Sequence, residues 1–199
     1  MSTQRRTALV VGVALAMMTV LGPMAAGAAL PAGALGIAAL IFTVVAILDV
    51  VIVLGLYPFL SGAGALLAWT AVVLRITYAA VLVAAAGILV GASDEALFAA
   101  IWQLGLFVFG VHLVLVGATA FVGGAIPRWI GVLVGIAGLG YVIDGTLTAL
   151  AVELGLSVAM ATFVGELVLM VWLLGWAGRA RMERGEAVTS ALREESAVR

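Results

Sequence analysis

The sequence predicts an all-α fold, a polytopic transmembrane bundle of six helices with both termini in the cytoplasm. Of the 199 residues, 66% are hydrophobic and only 10% are charged, too few to cover a soluble domain. Six apolar stretches each supply the roughly 20 helical residues that cross a hydrocarbon core of about 30 Å. They lack the period-two alternation of outer-membrane strands. The predicted spans are about 7–29, 33–57, 65–91, 97–123, 129–151 and 155–179, and a polar cytoplasmic tail follows at 180–199.

Arginine placement predicts the orientation of the bundle, because short loops rich in arginine stay in the cytoplasm. Arg5 and Arg6 precede the first span, and Arg128 lies between the fourth and fifth. The sequence from Arg179, at the end of the sixth span, to Arg199 carries five of the nine arginines, whereas the charged residues of the loops on the other side are the acids Asp94, Glu95 and Glu153. We therefore expect a multi-pass protein of a cell membrane, the bacterial inner or plasma membrane.

The first span has an alternative interpretation. Residues 1–28 combine a charged start, an apolar stretch and small residues at the end, as a secretory signal peptide does. Cleavage after Ala28 would leave five spans and an N-terminus outside the cell. The apolar stretch is long, however, and Gly22 and Pro23 are tolerated as a kink within a true span.

Composition excludes several classes of function. The chain has no lysine and a formal net charge of −1, so it lacks the basic face of a nucleic-acid-binding protein. With no cysteine, thiolate nucleophiles and cysteine-ligated metals are excluded. The sequence also lacks the glycine-rich phosphate-binding motifs and the G-x-S-x-G motif, so neither nucleotide binding nor serine-hydrolase chemistry is indicated. No cofactor is predicted.

Five consecutive predicted spans, the second to the sixth, each carry one ionisable residue. At 1.5 Å per residue, all five residues lie within about 8 Å of the bilayer midplane. A charged side chain facing lipid at this depth costs about 2.5–3.5 kcal/mol, so we expect the five to turn inward and meet. In chain order they are Asp49, Arg75, His112, Asp144 and Glu166.

The charges of this set do not balance. Three acids face one obligatory cation, Arg75, and a charged His112 would balance only one more. The remaining carboxylate would be ionised without a partner in a medium of low dielectric constant, which is strongly disfavoured. We therefore expect either a protonated acid at neutral pH or a cation bound beside the set. A carboxylic acid that is held neutral can act as a proton donor.

Other interpretations of these residues stay open, namely a purely structural role and a metal site. A buried pair such as Asp49 and Arg75 often only fixes helix register, and a lone histidine such as His112 is often a hydrogen-bonded core residue. His112 and the carboxylates could also hold a divalent ion. Against a metal, the ligands come from separate helices without H-x-x-x-H or E-x-x-H spacing, and Arg75 would repel the ion. No metal site is predicted.

Four stretches of the sequence resemble a known family. They are "LRITYAAVLVAA", "FGVHLVLVGA", "AIPRWIGVLVGIAGLGYVIDG" and "GELVLMVWLLGWAG". In order and spacing they are similar to the bacterial six-helix integral membrane family known as domain of unknown function 4386, over about residues 40–180. The resemblance implies the six-helix fold and no particular activity. The positions that match the family's recurring polar and turn residues are Arg75, His112, Pro127, Arg128, Tyr141, Asp144 and Glu166.

The favoured hypothesis is an intramembrane acid/base enzyme of cyclase or isomerase type. A lipophilic, isoprenoid-like substrate would enter laterally, be protonated by Glu166 or Asp144, and lose a proton to another carboxylate or to His112. Asp49 and Arg75 complete the predicted catalytic set. Small membrane-embedded terpene cyclases use carboxylates in this broad manner, which is an analogy of chemistry alone. Aromatic side chains predicted to bind substrate, and able to stabilise a carbocation, are Tyr78, Tyr141, Phe107, Phe109 and Trp172.

Two other classes of function compete with this hypothesis. Acids and a histidine across the midplane are the parts of a proton relay, so a proton-coupled carrier of small solutes is the first alternative. A membrane scaffold or partner-binding protein, with a purely structural polar cluster, is the second. The expected partners are the lipid bilayer and a lipophilic small molecule. The G-x-x-x-G pairs Gly131–Gly135 and Gly87–Gly91 favour packing within the chain over a dimer interface.

Overall fold

The computed structural model describes residues 2–152 and 155–178. These residues form helices and turns without a strand, and six helical segments are long and apolar enough to cross a bilayer. The predicted all-α, six-span fold is thus confirmed. The predicted tail at 180–199 lies outside the described residues, as does Glu153. The helices are α1 (Thr3–Met24), α2 (Leu35–Leu60), α3 (Ala65–Gly91), α4 (Glu95–Val122), α5 (Arg128–Ala149), α6 (Val158–Thr162) and α7 (Val164–Gly175).

Capping residues and glycines set several helix boundaries. The Ser2 hydroxyl accepts a hydrogen bond from the Arg5 backbone N–H at 3.2 Å, so α1 begins at Thr3, before the predicted start at residue 7. The Asp94 carboxylate caps α4 in the same way. Gly64, with φ of 102°, takes the left-handed conformation that separates α2 from α3.

The first and sixth spans are irregular at the same end of the bundle. Helix α1 passes into a π-helical turn at Ala25–Ala29, two residues after Pro23, which cannot donate the usual backbone hydrogen bond. The predicted single span at 155–179 is instead two helices, α6 and α7, separated by a turn at Phe163. At this break the Glu166 N–H bonds to the Phe163 carbonyl at 3.0 Å, three residues back.

The six spans close into a ring. Each span packs on its neighbours in the chain, and α7 packs on both α5 and α1. We call the end where α1 begins the N-terminal end, and the end where α6 begins the far end. A ring of six helices has room at its centre for side chains or for a cavity.

The most extensive packing in the ring joins α4 to α5, and glycines bring these two helices together. A Cβ atom built on Gly138 would lie 2.8 Å from the backbone nitrogen of Val114 and against the carbonyl oxygen of Gly110. Gly117 and Gly131 face each other in the same manner. Gly131 of the predicted pair Gly131–Gly135 therefore serves packing within the chain. Close backbone approach of this kind is how helices associate in lipid, where the hydrophobic drive between them is absent.

Replacing Gly138 with alanine should push α5 away from α4, because the new methyl group would overlap α4 backbone atoms that cannot move aside. We expect Gly138→Ala to lower the free energy of unfolding by about 1–3 kcal/mol. Gly135→Ala is the matched control on the same helix, since a Cβ there has no neighbour within 4 Å in the described part of the chain. Thermal unfolding of the detergent-purified protein measures both, and equal stability of the two variants would contradict the packing role.

Arg5 joins the first and last helices at the N-terminal end. Its Nη1 donates to the carbonyl oxygens of Leu173 at 2.8 Å and Ala177 at 3.2 Å, and its Nη2 donates to the Leu174 carbonyl. The last carbonyls of a helix have no partner within the helix and carry partial negative charge. A buried guanidinium at this position therefore caps α7 and closes the ring.

Removal of the Arg5 side chain should open the ring at this end. We expect Arg5→Ala to cost about 2 kcal/mol, because charged hydrogen bonds to the end of α7 are lost. Arg6→Ala, which removes an exposed arginine next to it, is the control and should change little. Thermal unfolding again provides the measurement. If Arg6→Ala lowers the melting temperature as much as Arg5→Ala does, the loss of stability is not due to the hydrogen bonds between Arg5 and the end of α7.

Candidate functional site

Three of the predicted ionisable residues meet inside the bundle. Asp49, Arg75 and His112 expose 0%, 2% and 0% of their surface, and we call them the ion cluster. Arg75 Nε donates to Asp49 Oδ1 at 2.8 Å, and Nη2 lies 2.7 Å from the same oxygen. The residues come from α2, α3 and α4, so the cluster ties together three helices that are consecutive in the chain.

The hydrogen bonds of His112 define its tautomer. Nδ1 lies 2.8 Å from the carbonyl oxygen of Ala71, which can only accept, so Nδ1 carries the hydrogen. Nε2 lies 3.3 Å from Nη1 of Arg75, which can only donate, so Nε2 accepts. A neutral imidazole satisfies both contacts. The ring thus has no free lone pair with which to act as a base.

Phe109 forms the border of the ion cluster towards the far end. The Arg75 guanidinium lies over its ring, with Cζ 5.1 Å from the centroid, a cation–π contact. The same ring packs on His112, Tyr78 and Tyr141 at centroid distances of 5.8, 5.0 and 5.2 Å. Phe109 therefore touches the ion cluster with one side and the aromatic groups beyond it with the other.

A cavity of about 640 Å³ lies beyond Phe109, towards the far end, and all six spans contribute to its wall. This volume is typical of small-molecule sites, which are largely apolar with a few polar groups. The residues of the ion cluster do not line it. Among its lining residues are the aromatic side chains Phe42, Tyr78, Trp102, Phe109 and Tyr141 and the polar side chains Gln103, Asp144, Ser157 and Glu166.

Glu166 presents its carboxyl group to this cavity. The Tyr141 hydroxyl donates to Glu166 Oε1 at 2.9 Å. Gly165, the preceding residue, brings α7 so close to α5 that an added Cβ would meet the Leu133 carbonyl. This approach brings Glu166 within reach of Tyr141 on α5. With Oε1 occupied, Oε2 is the oxygen that can exchange a proton with a bound molecule.

Asp144, like Glu166, lies outside the ion cluster, so the expectation that all five ionisable residues meet is wrong. Its Oδ2 accepts from the Ser157 hydroxyl at 2.6 Å and from the Ala159 N–H at 3.0 Å. Its Oδ1 accepts from the Val158 N–H at 2.9 Å. Asp144 thus caps the first turn of α6, where backbone N–H groups lack helical partners. The carboxylate still lines the cavity near the far end.

The predicted aromatic residues divide between the cavity and the rest of the molecule. Tyr78, Tyr141 and Phe109 line the cavity, whereas Phe107 and Trp172 do not. Phe107 is 37% exposed on the outside of the bundle, and Trp172 packs edge-on against Phe59, at a centroid distance of 6.1 Å. Over the residues that the structure describes, no three His, Asp or Glu side chains form a group able to hold a metal ion.

Phe42, Trp102 and Ser157 are among the cavity residues that the sequence analysis missed. Phe42 packs on Trp102 with tilted rings at a centroid distance of 5.2 Å, and Trp102 Nε1 donates to the Tyr78 hydroxyl at 3.3 Å. Phe42 lies two turns before Asp49, so a search along that helix face would have found it. Ser157, three residues before Met160, has the position of a helix N-cap.

The fold and the site define a polytopic helical membrane protein with a buried ion cluster and a cavity next to it. The family described as "Domain of unknown function (DUF4386)" matches residues 32–175, and the chain belongs to this family, as its resemblance predicted. A protein of Archaeoglobus fulgidus named "Uncharacterized protein" is 37% identical over 130 residues, 64% of this chain and 76% of the relative. No solved structure matches the chain.

The ion cluster and Glu166 should respond differently to loss of their charges. In Arg75→Gln the Asp49 carboxylate stays buried without its countercharge, so we expect a loss of roughly 3–5 kcal/mol in the free energy of unfolding. Glu166→Gln keeps an oxygen for Tyr141 and faces the cavity, so its stability should change by less than about 1 kcal/mol. Thermal unfolding in detergent distinguishes the two.

A double variant supplies the control for this prediction. Asp49→Leu combined with Arg75→Met removes both charges and fills similar volume, and it should recover most of the stability lost in Arg75→Gln. Wild-type stability of the single variant Arg75→Gln would show that the pair does not hold the helices together.

Proposed function

We propose that this protein is an intramembrane acid/base enzyme, of isomerase or cyclase type, that acts on a lipophilic, isoprenoid-like substrate in the cavity. The observation that carries the proposal is the carboxyl group of Glu166, hydrogen-bonded by Tyr141 at the wall of a cavity rich in aromatic rings. From the arginine distribution we further propose that both termini lie in the cytoplasm and that the membrane is the inner or plasma membrane.

The proposed reaction begins with protonated Glu166. The π electrons of a substrate C=C bond take the carboxyl proton, which forms a C–H bond, leaves a carbocation on the adjacent carbon and leaves Glu166 as a carboxylate. The hydrogen bond from Tyr141 stabilises that carboxylate. The rings of Tyr78, Trp102 and Phe109 face the cavity and stabilise the cation through their π electrons.

Loss of a proton completes the reaction without an oxidant or a reductant. If a carbon next to the cation returns a proton to the Glu166 carboxylate, a C=C bond forms at a new position and the product is an isomer. If a second C=C bond of the substrate attacks the cation first, a ring closes before the proton returns to Glu166. Either route regenerates the protonated acid.

The other predicted catalytic residues act at a distance in this proposal. Asp49, Arg75 and His112 do not line the cavity and are positioning residues, because Arg75 and His112 contact Phe109 and Asp49 holds Arg75. Asp144 accepts hydrogen bonds from the backbone N–H groups at the start of α6. It therefore positions α6, the part of the cavity wall that lies before Glu166 in the chain. Glu166 is the one group that exchanges a proton with substrate.

The proposal predicts exchange of hydrogen with water at carbon. Wild-type protein in proteoliposomes made in D2O, given a panel of isoprenoid alcohols and hydrocarbons, should place deuterium on carbon in the recovered lipid, as mass spectrometry detects. Glu166→Gln cannot deliver the proton and should lower this rate by about 10²–10⁴-fold. Tyr141→Phe should lower it less, since the acid itself remains.

Glu95→Gln is the matched control, because it makes the same chemical change at an exposed acid outside the cavity. Deuterium incorporation by Glu166→Gln at the wild-type rate would refute the acid role. If the wild type instead shows proton-linked solute flux that depends on Glu166, with no exchange at carbon, the protein is a carrier.

A further inference from the structure

The opening of the cavity is marked by its exposed lining residues. Among the lining residues that the structure describes, four are exposed, Pro23, Gly27, Ser157 and Met160, and Met160 has 79% of its surface exposed. The other lining residues are buried or half-buried. The four belong to two elements at the far end, the last part of the first span and the region where α6 begins. The cavity therefore opens sideways, between these two elements.

Helix packing explains why the ring is open at this place. Near the N-terminal end, α1 lies tightly on α7, and a Cβ built on Gly12 would lie 2.8 Å from the Leu174 side chain. At the far end, α6 packs on α5, where Gly140 lies against Thr162. Because the break at Phe163 lets α6 follow α5, α1 and α6 diverge.

The opening lies at a definite depth in the membrane. Met160 is two residues from the start of α6, and Pro23 is six residues from the end of the first span at Ala29. At 1.5 Å per residue, these side chains lie within about 10 Å of the far end. This is the level at which lipid headgroups meet acyl chains. A molecule there has its polar group near the surface and its chain in the hydrocarbon.

The polarity of the wall matches such a molecule. Near the opening lie Asp144 and Ser157, whereas the inner wall is formed by apolar side chains such as Leu15 and Leu82. The described lining residues include two acids, Asp144 and Glu166, and no basic residue. A phosphate or diphosphate group would thus meet like charge without an arginine or lysine to balance it. A neutral hydroxyl, able to donate and accept, fits this end of the cavity.

We infer that a single-chain isoprenoid alcohol, dissolved in the bilayer, enters tail first between α1 and α6 and leaves its hydroxyl group beside Asp144 and Ser157. This inference rests on the proposed function, and it gives the substrate a headgroup, an orientation and a route. The chain then passes Glu166 at mid-depth, where a C=C bond can meet the carboxyl group. At about 30 Å³ per non-hydrogen atom, as for water, 640 Å³ admits on the order of 20 such atoms.

Photolabelling in proteoliposomes tests the route without requiring turnover. The probe is an isoprenoid alcohol of about 15 carbons with a diazirine near its tail, and mass spectrometry identifies the labelled residues. Wild-type protein should be labelled on cavity residues such as Phe42 and Leu82. The same probe as its diphosphate should label these residues on the order of tenfold less.

A side chain added at the opening should block entry. Gly22 lines the cavity, and a Cβ there has no neighbour within 4 Å among the described residues, so Gly22→Phe can fold while it fills the passage. Cavity labelling should fall by on the order of tenfold. Gly87→Phe is the matched control, since Gly87 is exposed, has equal room and does not line the cavity. Gly27→Phe is a second blocking variant should Gly22→Phe unfold.

The outcomes separate the route from the chemistry. Labelling of cavity residues that persists in both blocking variants overturns the entry route, and equal labelling by the diphosphate overturns the choice of headgroup. Neither result affects the role of Glu166. The converse result is that the cavity residues are labelled as inferred but Glu166→Gln exchanges deuterium at the wild-type rate. It would overturn the role of Glu166 as the acid and leave the entry route unaffected. Labelling confined to lipid-facing residues of the wild-type protein would show that the probe does not enter the cavity. It would count against both the entry route and the proposed chemistry.

Discussion

The charge of Arg75 constrains the centre of this bundle more than any other feature. A guanidinium stays ionised in any protein environment, so burial obliges the chain to supply a countercharge and hydrogen-bond acceptors. Asp49 supplies the charge, the Nε2 atom of His112 supplies an acceptor, and Phe109 supplies an aromatic face. Because these partners lie on the helices before and after α3, one side chain fixes the rotation and depth of three spans.

The position of the ion cluster also determines where the bundle is hollow. Phe109 is held by Arg75 and His112 on one side, and it meets Tyr78 and Tyr141 on the other. Beyond it the helices diverge, because the first span becomes irregular after Pro23 and α6 follows α5 away from α1. The cavity therefore extends from Phe109 to the far end of the ring. The inner end of the cavity is fixed because the ion cluster holds Phe109 in place. The opening of the cavity lies beside two short, irregular helical segments.

Hydropathy and loop arginines predict the number and order of the spans, because crossing a bilayer constrains length and polarity directly. These two signals predict how deep each residue lies in the membrane, but they do not predict which side of the helix its side chain faces. Phe109 precedes His112 by three residues and so shares its face, whereas Phe107 points to the outside. For Asp144, depth in the membrane predicts the wrong partners. Its partners are Ser157, Val158 and Ala159, which belong to a helix start inside an apolar stretch. Only the packing of α6 on α5 brings them together.

The three carboxylates in the spans differ in what folding requires of them. Asp49 neutralises a buried arginine, and Asp144 satisfies two backbone N–H groups at the start of α6. Glu166 has a hydrogen bond from Tyr141, and a leucine facing a phenylalanine at these two positions would leave neither group unsatisfied. Folding therefore accounts for the first two acids and not for the third. An acid that the fold does not need, facing this cavity, is the group to which chemistry is best assigned.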